Sequence, residues 1–191
     1  MLLAHQLPAQ SWDFVRERDG IKLYTRSEPG KPIKAFKGVT DIKAPVQKIF
    51  DVLRDINDTD WWDKNVTLNQ VLYYEKNKGA RYYLVYDLPW PVPDRDLCVD
   101  ISVIATNSSG ERRISAVSVN GIIPERNDLV RIKDYRQTWI VSEAAENLTH
   151  VELEGLVDPA GNIPDWIINM LIIESPYKSI SGLRKRMNSY R

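Results

Sequence analysis

The residues whose types could do chemistry gather in "DLPWPVPDRDLCV" (87–99), where Asp94, Arg95 and Asp96 precede the chain's one cysteine, Cys98. A carboxylate there could act as a general base and a thiolate as a nucleophile, but each needs a partner: an activating base or a reacting group within reach. Neither of the two histidines, His5 and His150, is an obvious partner. The charged triplet therefore reads as a corner clamp, with the arginine bridging carboxylates or carbonyls through its fork of donors. Cys98 reads as a small residue in a packed sheet, and His150, opening "HVELEG", as a surface or hydrogen-bonded histidine. No catalytic residue is assigned. One cysteine and two histidines leave too few ligands for a metal site and exclude an intrachain disulfide. The acidic stretch "DTDWWD" (Asp58, Asp60, Asp63) lacks the glycine and distal glutamate of a calcium loop and reads as a helix cap. No metal is expected.

Such a corner must be positioned by the elements around it. Pro89, Pro91 and Pro93 cannot donate backbone hydrogen bonds, so they stop one strand and stiffen the crossing to the next. Upstream, "SWDFVRER" (11–18) followed by Asp19-Gly20 reads as a short helix and a turn. "IKLYTRSEPG" and "IKAFKGVTDIKA" then alternate as a strand pair joined through Pro29-Gly30. In "PVQKIFDVLRDI" Val46, Ile49, Phe50, Leu53 and Ile56 recur at helical spacing, with Pro45 at the first helical position. From Leu68 to Val157 six strand-like segments follow, broken at Asn77-Lys78-Gly79, Asn107–Gly110 and Glu146-Asn147, which predicts mainly antiparallel pairing. Pro164–Asn188 reads as a long terminal helix, apolar on nearly every side over Trp166–Ile173 and kinked by Pro176. Together these predict an α+β fold, one twisted antiparallel sheet curling around the terminal helix.

The chain has 191 residues, 43% of them apolar, enough for one domain (residues 1–191, core about 12–188). Lysine plus arginine and aspartate plus glutamate total 26 each, so the net charge is zero and nucleic acid is not an expected partner. The one basic cluster, Arg184-Lys185-Arg186, reads as a solvated helix face, with contact to an anionic membrane surface as the alternative. The longest apolar run, Ile167–Ile173, is far short of a membrane span, and "MLLAHQLPAQ" lacks the features of a signal peptide. A soluble protein is expected. Its compartment stays open between the cytoplasm and, had a leader been removed, the periplasm or exterior.

"DLPWPVPDRDLCV" resembles the Pro-aromatic-Pro and Arg-Asp corner of START domains, the steroidogenic-acute-regulatory-related lipid transfer family. "LVDPAGNIPDWIINMLIIESPYKSISGLRK" resembles that family's Asp-Pro-x-Gly, x-Pro approach to its C-terminal helix, and "WDFVRERDGIKLYTRSEP" its Asp-Gly-Ile strand start. The likeness runs from about Trp12 to Met187. It implies a helix-grip fold, a curved antiparallel sheet wrapped around a long C-terminal helix with an internal hydrophobic cavity for one lipid or sterol-like molecule. It implies no cofactor and no catalytic motif.

Strand parity then names the lining. Tyr82, Leu84, Tyr86 and Leu88 are expected on the concave face, with Val99, Ile101, Val117, Val119, Trp139, Val151 and Leu153. The helix is expected to add Ile167, Met170, Leu171 and Glu174. Tyr86 and Glu174 are the expected polar contacts. Burying an acyl methylene is worth about 0.8 kcal/mol, so roughly 14 of them supply about 11 kcal/mol before ordering costs. The functional expectation is a non-catalytic protein that binds, transfers or shields a lipid or other hydrophobic molecule, with transient membrane-surface contact. The alternatives are an aromatase/cyclase-like polyketide enzyme of the same architecture and a ligand-sensing regulatory domain.

Overall fold

The computed structural model describes residues 11–59, 61–104, 110–161 and 163–189. Ten strands form one sheet: β1 (Asp13–Arg18), β2 (Ile21–Ser27), β3 (Lys34–Ile42), β4 (Val66–Glu75), β5 (Gly79–Tyr86), β6 (Arg95–Ile104), β7 (Arg112–Ser118), β8 (Val130–Arg131), β9 (Asp134–Ala145) and β10 (Leu148–Asp158). The order is β1-β2-β3-β10-β9-β7-β6-β5-β4, antiparallel throughout except that the two-residue β8 runs parallel to β6. Pairing of β3 with β10 brings the two ends of the chain together in mid-sheet. Bulges near Val15, Thr67, Leu72 and Leu148 add local twist, as an extra unpaired residue does.

Helix α1 (Val46–Arg54) follows Pro45, which takes the N-cap position rather than the first helical one expected. It lies over β7, β9 and β10. The terminal helix comprises α2 (Asp165–Asn169), a π-helical turn over Met170–Glu174, and α3 (Ser175–Ser189), which packs on β2, β3 and β10. The expected break at Pro176 takes the form of this wide turn, in which the Ser175 N–H bonds back to the Met170 carbonyl. Proline removes one helical bond and crowds the carbonyl four residues earlier, so widening just before it relieves both. This is the curved sheet gripping a C-terminal helix that the sequence predicts.

Close approach of α3 depends on two glycines. A Cβ at Gly38 would lie 2.5 Å from Ile180 Cδ1, and one at Gly182 only 2.1 Å from the Trp61 carbonyl oxygen. Between them sits the main core, with Ile21, Leu23, Ile49, Val141, Val151, Leu153, Ile180 and Leu183 all buried.

Several local expectations are corrected. Residues 13–18 form an edge strand, not a helix. Asp19 and Gly20 both have positive φ (52° and 70°), which closes a tight hairpin onto β2, and sheet pairing overrides the short amphipathic pattern. The carboxylates of "DTDWWD" cap no helix among the described residues: Asp58 takes Arg186 at 2.7 Å, and Asp63 takes Tyr86. Asp60 and most of the expected Asn107–Gly110 turn lie outside the described residues. The basic cluster keeps Lys185 exposed, as a solvated helix face would, while Arg184 donates to the Asp19 carbonyl and the Thr40 hydroxyl and Arg186 pairs with Asp58.

The charged triplet is structural, as expected. Asp94 accepts the Leu88 N–H, and Arg95 donates to the carbonyls of Pro93, Pro159 and Ala160. Asp96, 1% exposed, takes a two-pronged pair of hydrogen bonds from Arg131, both 2.8 Å, and a third from the Tyr83 hydroxyl. Burial alone would raise the Asp96 carboxyl, but hydrogen bonds from Arg131 and Tyr83 outweigh it and hold the group below the ordinary range. A depressed folded-state value stabilises the protein above the unfolded carboxyl range, and the contribution is lost as pH falls through the folded value. Asp96→Asn should cost about 3–5 kcal/mol in urea unfolding at neutral pH, because Arg131 stays buried and unpaired. The gap between variant and wild type should narrow below about pH 4.

Candidate ligand cavity

The concave residues of β5, β6, β7 and β9 face one another across their ladders: Leu84 opposite Leu97, Ile101 opposite Ala116, and Ile114 opposite Trp139. Opposed residues in antiparallel strands point to the same face, so these rows make one apolar wall. Between that wall and the helices lies a cavity of about 160 Å³. Its floor is Leu84, Tyr86, Leu88, Leu97, Val99, Ile101, Ile114, Ala116, Tyr135, Gln137 and Trp139, and its roof includes Leu53, Trp61, Trp62, Leu171, Ser175 and Ser179.

Of the residues expected to line it, Leu84, Tyr86, Leu88, Val99, Ile101, Trp139 and Leu171 do so. Tyr82 is buried on the same face but packs edge-on against Trp62, beside a second hollow. Val151 and Leu153 also face inward, yet α1 and α3 cover them and they belong to the solid core. Ile167 and Met170 join a small cluster with Leu88 and Leu171 at one end. Val117 and Val119 do not line the cavity. Val117 is 48% exposed because the register of β7 turns Ile114 and Ala116 inward, one residue out of phase with the expectation. Glu174 is engaged elsewhere, pairing with Arg16 and Arg18 on edge strand β1.

Side chains that the sequence reading gave other roles or none also line the cavity. Asp63, in the loop after α1, accepts the Tyr86 hydroxyl at 2.7 Å and the Ser175 hydroxyl at 3.3 Å through Oδ2, while Oδ1 takes the Asn65 N–H. Burial, reinforced by the Asp63 charge, pushes the Tyr86 phenol well above its ordinary range. Arg95, 2% exposed, lines the same end of the cavity with its donors on three carbonyls. Tyr135 donates to Gln137 at 2.7 Å, and burial raises its phenol too. The indole N–H of Trp61 is buried with no partner among the described residues. By strand register, Tyr86, Arg95 and Tyr135 lie toward the end where β6 and β9 begin, whereas Ile114 and Trp139 lie toward the other. The cavity is thus polar at one end and apolar at the other. The i, i+2 row Tyr135, Gln137, Trp139 was legible as a strand face, but nothing local marked Asp63 as a cavity group.

A curved antiparallel sheet closed around a C-terminal helix, with an apolar hollow between them, defines the helix-grip class. The START domain family profile matches residues 3–191, and the chain belongs to that family. It is 29% identical over 177 residues to an uncharacterised Pseudomonas aeruginosa protein, covering 92% of this chain and 86% of that one. It is 24% identical over 180 residues to mouse phosphatidylcholine transfer protein, covering 85% and 77%. Among solved structures, a fragment of a STAR-related lipid transfer protein from Xanthomonas axonopodis superposes with a TM-score of 0.81 at 27% identity, covering 93% of this chain and 98% of that one.

Burial pushes the Tyr82 phenol up to about 12. A raised folded-state value means stability present below the unfolded phenol range and lost as pH rises from about 10 toward the folded value. Thermal unfolding between those limits should show wild type losing stability faster than Tyr82→Phe. Parallel losses would mean that Tyr82 ionises freely.

Proposed function

We propose that this protein binds one amphipathic lipid in the cavity and carries it between membranes, without transforming it. The observation that carries this reading is the polarity gradient of the hollow: an aliphatic and aromatic body ending in Asp63, Tyr86, Ser175 and Arg95. Apolar walls supply affinity in proportion to the chain buried, and a few polar groups at one end fix orientation. The similarity to phosphatidylcholine transfer proteins agrees with a headed lipid as the class of cargo. The buried Trp61 N–H offers a donor to an acceptor on that lipid.

The same groups argue for anchoring rather than catalysis. Asp63 already accepts three hydrogen bonds, and Tyr86 holds its proton far above neutrality, so neither is poised to exchange protons with a reactive chain.

Loading requires contact with a bilayer. Among the described residues no helix is long and apolar enough to cross a membrane. Trp90, 90% exposed at the proline corner, and Trp166, 50% exposed at the start of α2, flank the Leu88, Ile167 and Leu171 cluster and suit the bilayer interface. This replaces the basic cluster, whose two arginines are engaged within the fold, as the membrane-contacting feature.

Mass spectrometry of an organic extract of the purified protein should show one lipid class enriched to near-equimolar amount over an unrelated protein from the same host. Trp90→Ala should retain that lipid but slow its exchange between vesicles. Absence of both co-purified lipid and uptake from phosphatidylcholine vesicles would overturn the reading.

A further inference from the structure

A hollow of about 160 Å³ is too small for a whole lipid. An engineered cavity of roughly 150 Å³ holds benzene. A second hollow of about 250 Å³ lies behind it, between the end of α1, the β4–β5 turn and β6. The two share three walls, Leu53, Trp62 and Ile101. We propose that Trp62 is a movable wall between two chambers of one site, and that the far end of the lipid chain passes it into the second chamber. This rests on the lipid-binding reading and adds a residue that sets chain length.

Three observations support it. The second chamber has an apolar floor that includes Ile56, Ala80 and Val103, inside a charged rim formed by Asp51, Arg54, Asp55, Glu75 and Lys76. Of the three shared side chains, Trp62 is a half-buried indole packed edge-on against Tyr82 with ring centres 5.5 Å apart, on a loop between α1 and β4 that no ladder holds. That loop is fastened to α3 at two points: Arg186 binds Asp58 at 2.7 Å, and Gly182 sits directly against the Trp61 carbonyl. A displacement of α3 would therefore shift the base of Trp62. At the outer mouth Arg54 donates to Asn77 at 2.8 Å, bridging α1 to the β4–β5 turn.

The test uses straight-chain primary alcohols from hexanol to hexadecanol, read by displacement of anilinonaphthalene sulfonate from the full chain. Affinity should rise about fourfold per methylene for short chains. It should stall at the length that reaches Trp62, then resume. Trp62→Ala should remove the stall, Trp62→Phe, which keeps an aromatic ring should the alanine variant fail to fold, should shorten it, and Ile101→Trp should make it permanent. Superimposable profiles for wild type and all foldable variants, with short alcohols bound, would overturn the wall and leave the binding reading standing. No binding of any alcohol by wild type would overturn both.

Discussion

The guanidinium of Arg95 holds the architecture at its decisive joint. Burial disfavours its charge, and no carboxylate among the described residues forms an ion pair with it, so the carbonyls of Pro93, Pro159 and Ala160 must solvate it. Those carbonyls belong to two separate segments, the proline corner before β6 and the turn that leads from β10 into α2. A single side chain thus ties the sheet to the start of the helix it grips. The turn is shaped to meet it: Ala160 and Gly161 both take positive φ, and the Asp158 carboxylate accepts the Ala160 N–H. Beside this joint Ile167 and Leu171 pack onto Leu88 at one end of the hollow.

The cavity follows from incomplete coverage. Helix α3 lies over β2, β3 and β10, and α1 over β7, β9 and β10, leaving the inner face of β5 and β6 with little helix above it. There the apolar residues divide into a second, smaller cluster around Tyr82, Leu97 and Val99, with Trp62 bridging it to the main core. A space that two helices cannot fill is kept open by large aromatics meeting edge to face, Trp61 on Trp139 and Trp62 on Tyr82. Opposite this, on the convex side, Asp96, Arg131, Tyr83 and the buried Cys98 stiffen β5 and β6 from behind.

Much of this was legible before any coordinates. Periodicity identified α1, the strand succession and the terminal helix, and the proline corner announced its own geometry. The failures share a cause: each depended on a partner outside the segment being read. The pattern of residues 13–18 suited a helix until a hairpin through Asp19-Gly20 paired them with β2. Parity in β7 could be read in two phases, and only pairing with β6 and β9 chooses the one that buries Ile114 and exposes Val117. Glu174 looked inward on a helix apolar all round, but the π turn and two arginines of β1 draw it out. Asp63 looked like a cap because its real partners, Tyr86 and Ser175, lie on β5 and α3.

The central claim is that the hollow between sheet and helix is the lipid site, oriented by its polar end. A crystal structure of the protein equilibrated with phosphatidylcholine vesicles tests it most directly. The account predicts continuous lipid density within the fold, its head against Asp63, Tyr86 and Arg95 and its chain running toward Trp139. Lipid seated only on the outer surface, with the interior side chains closed around an unfilled hollow, would contradict it.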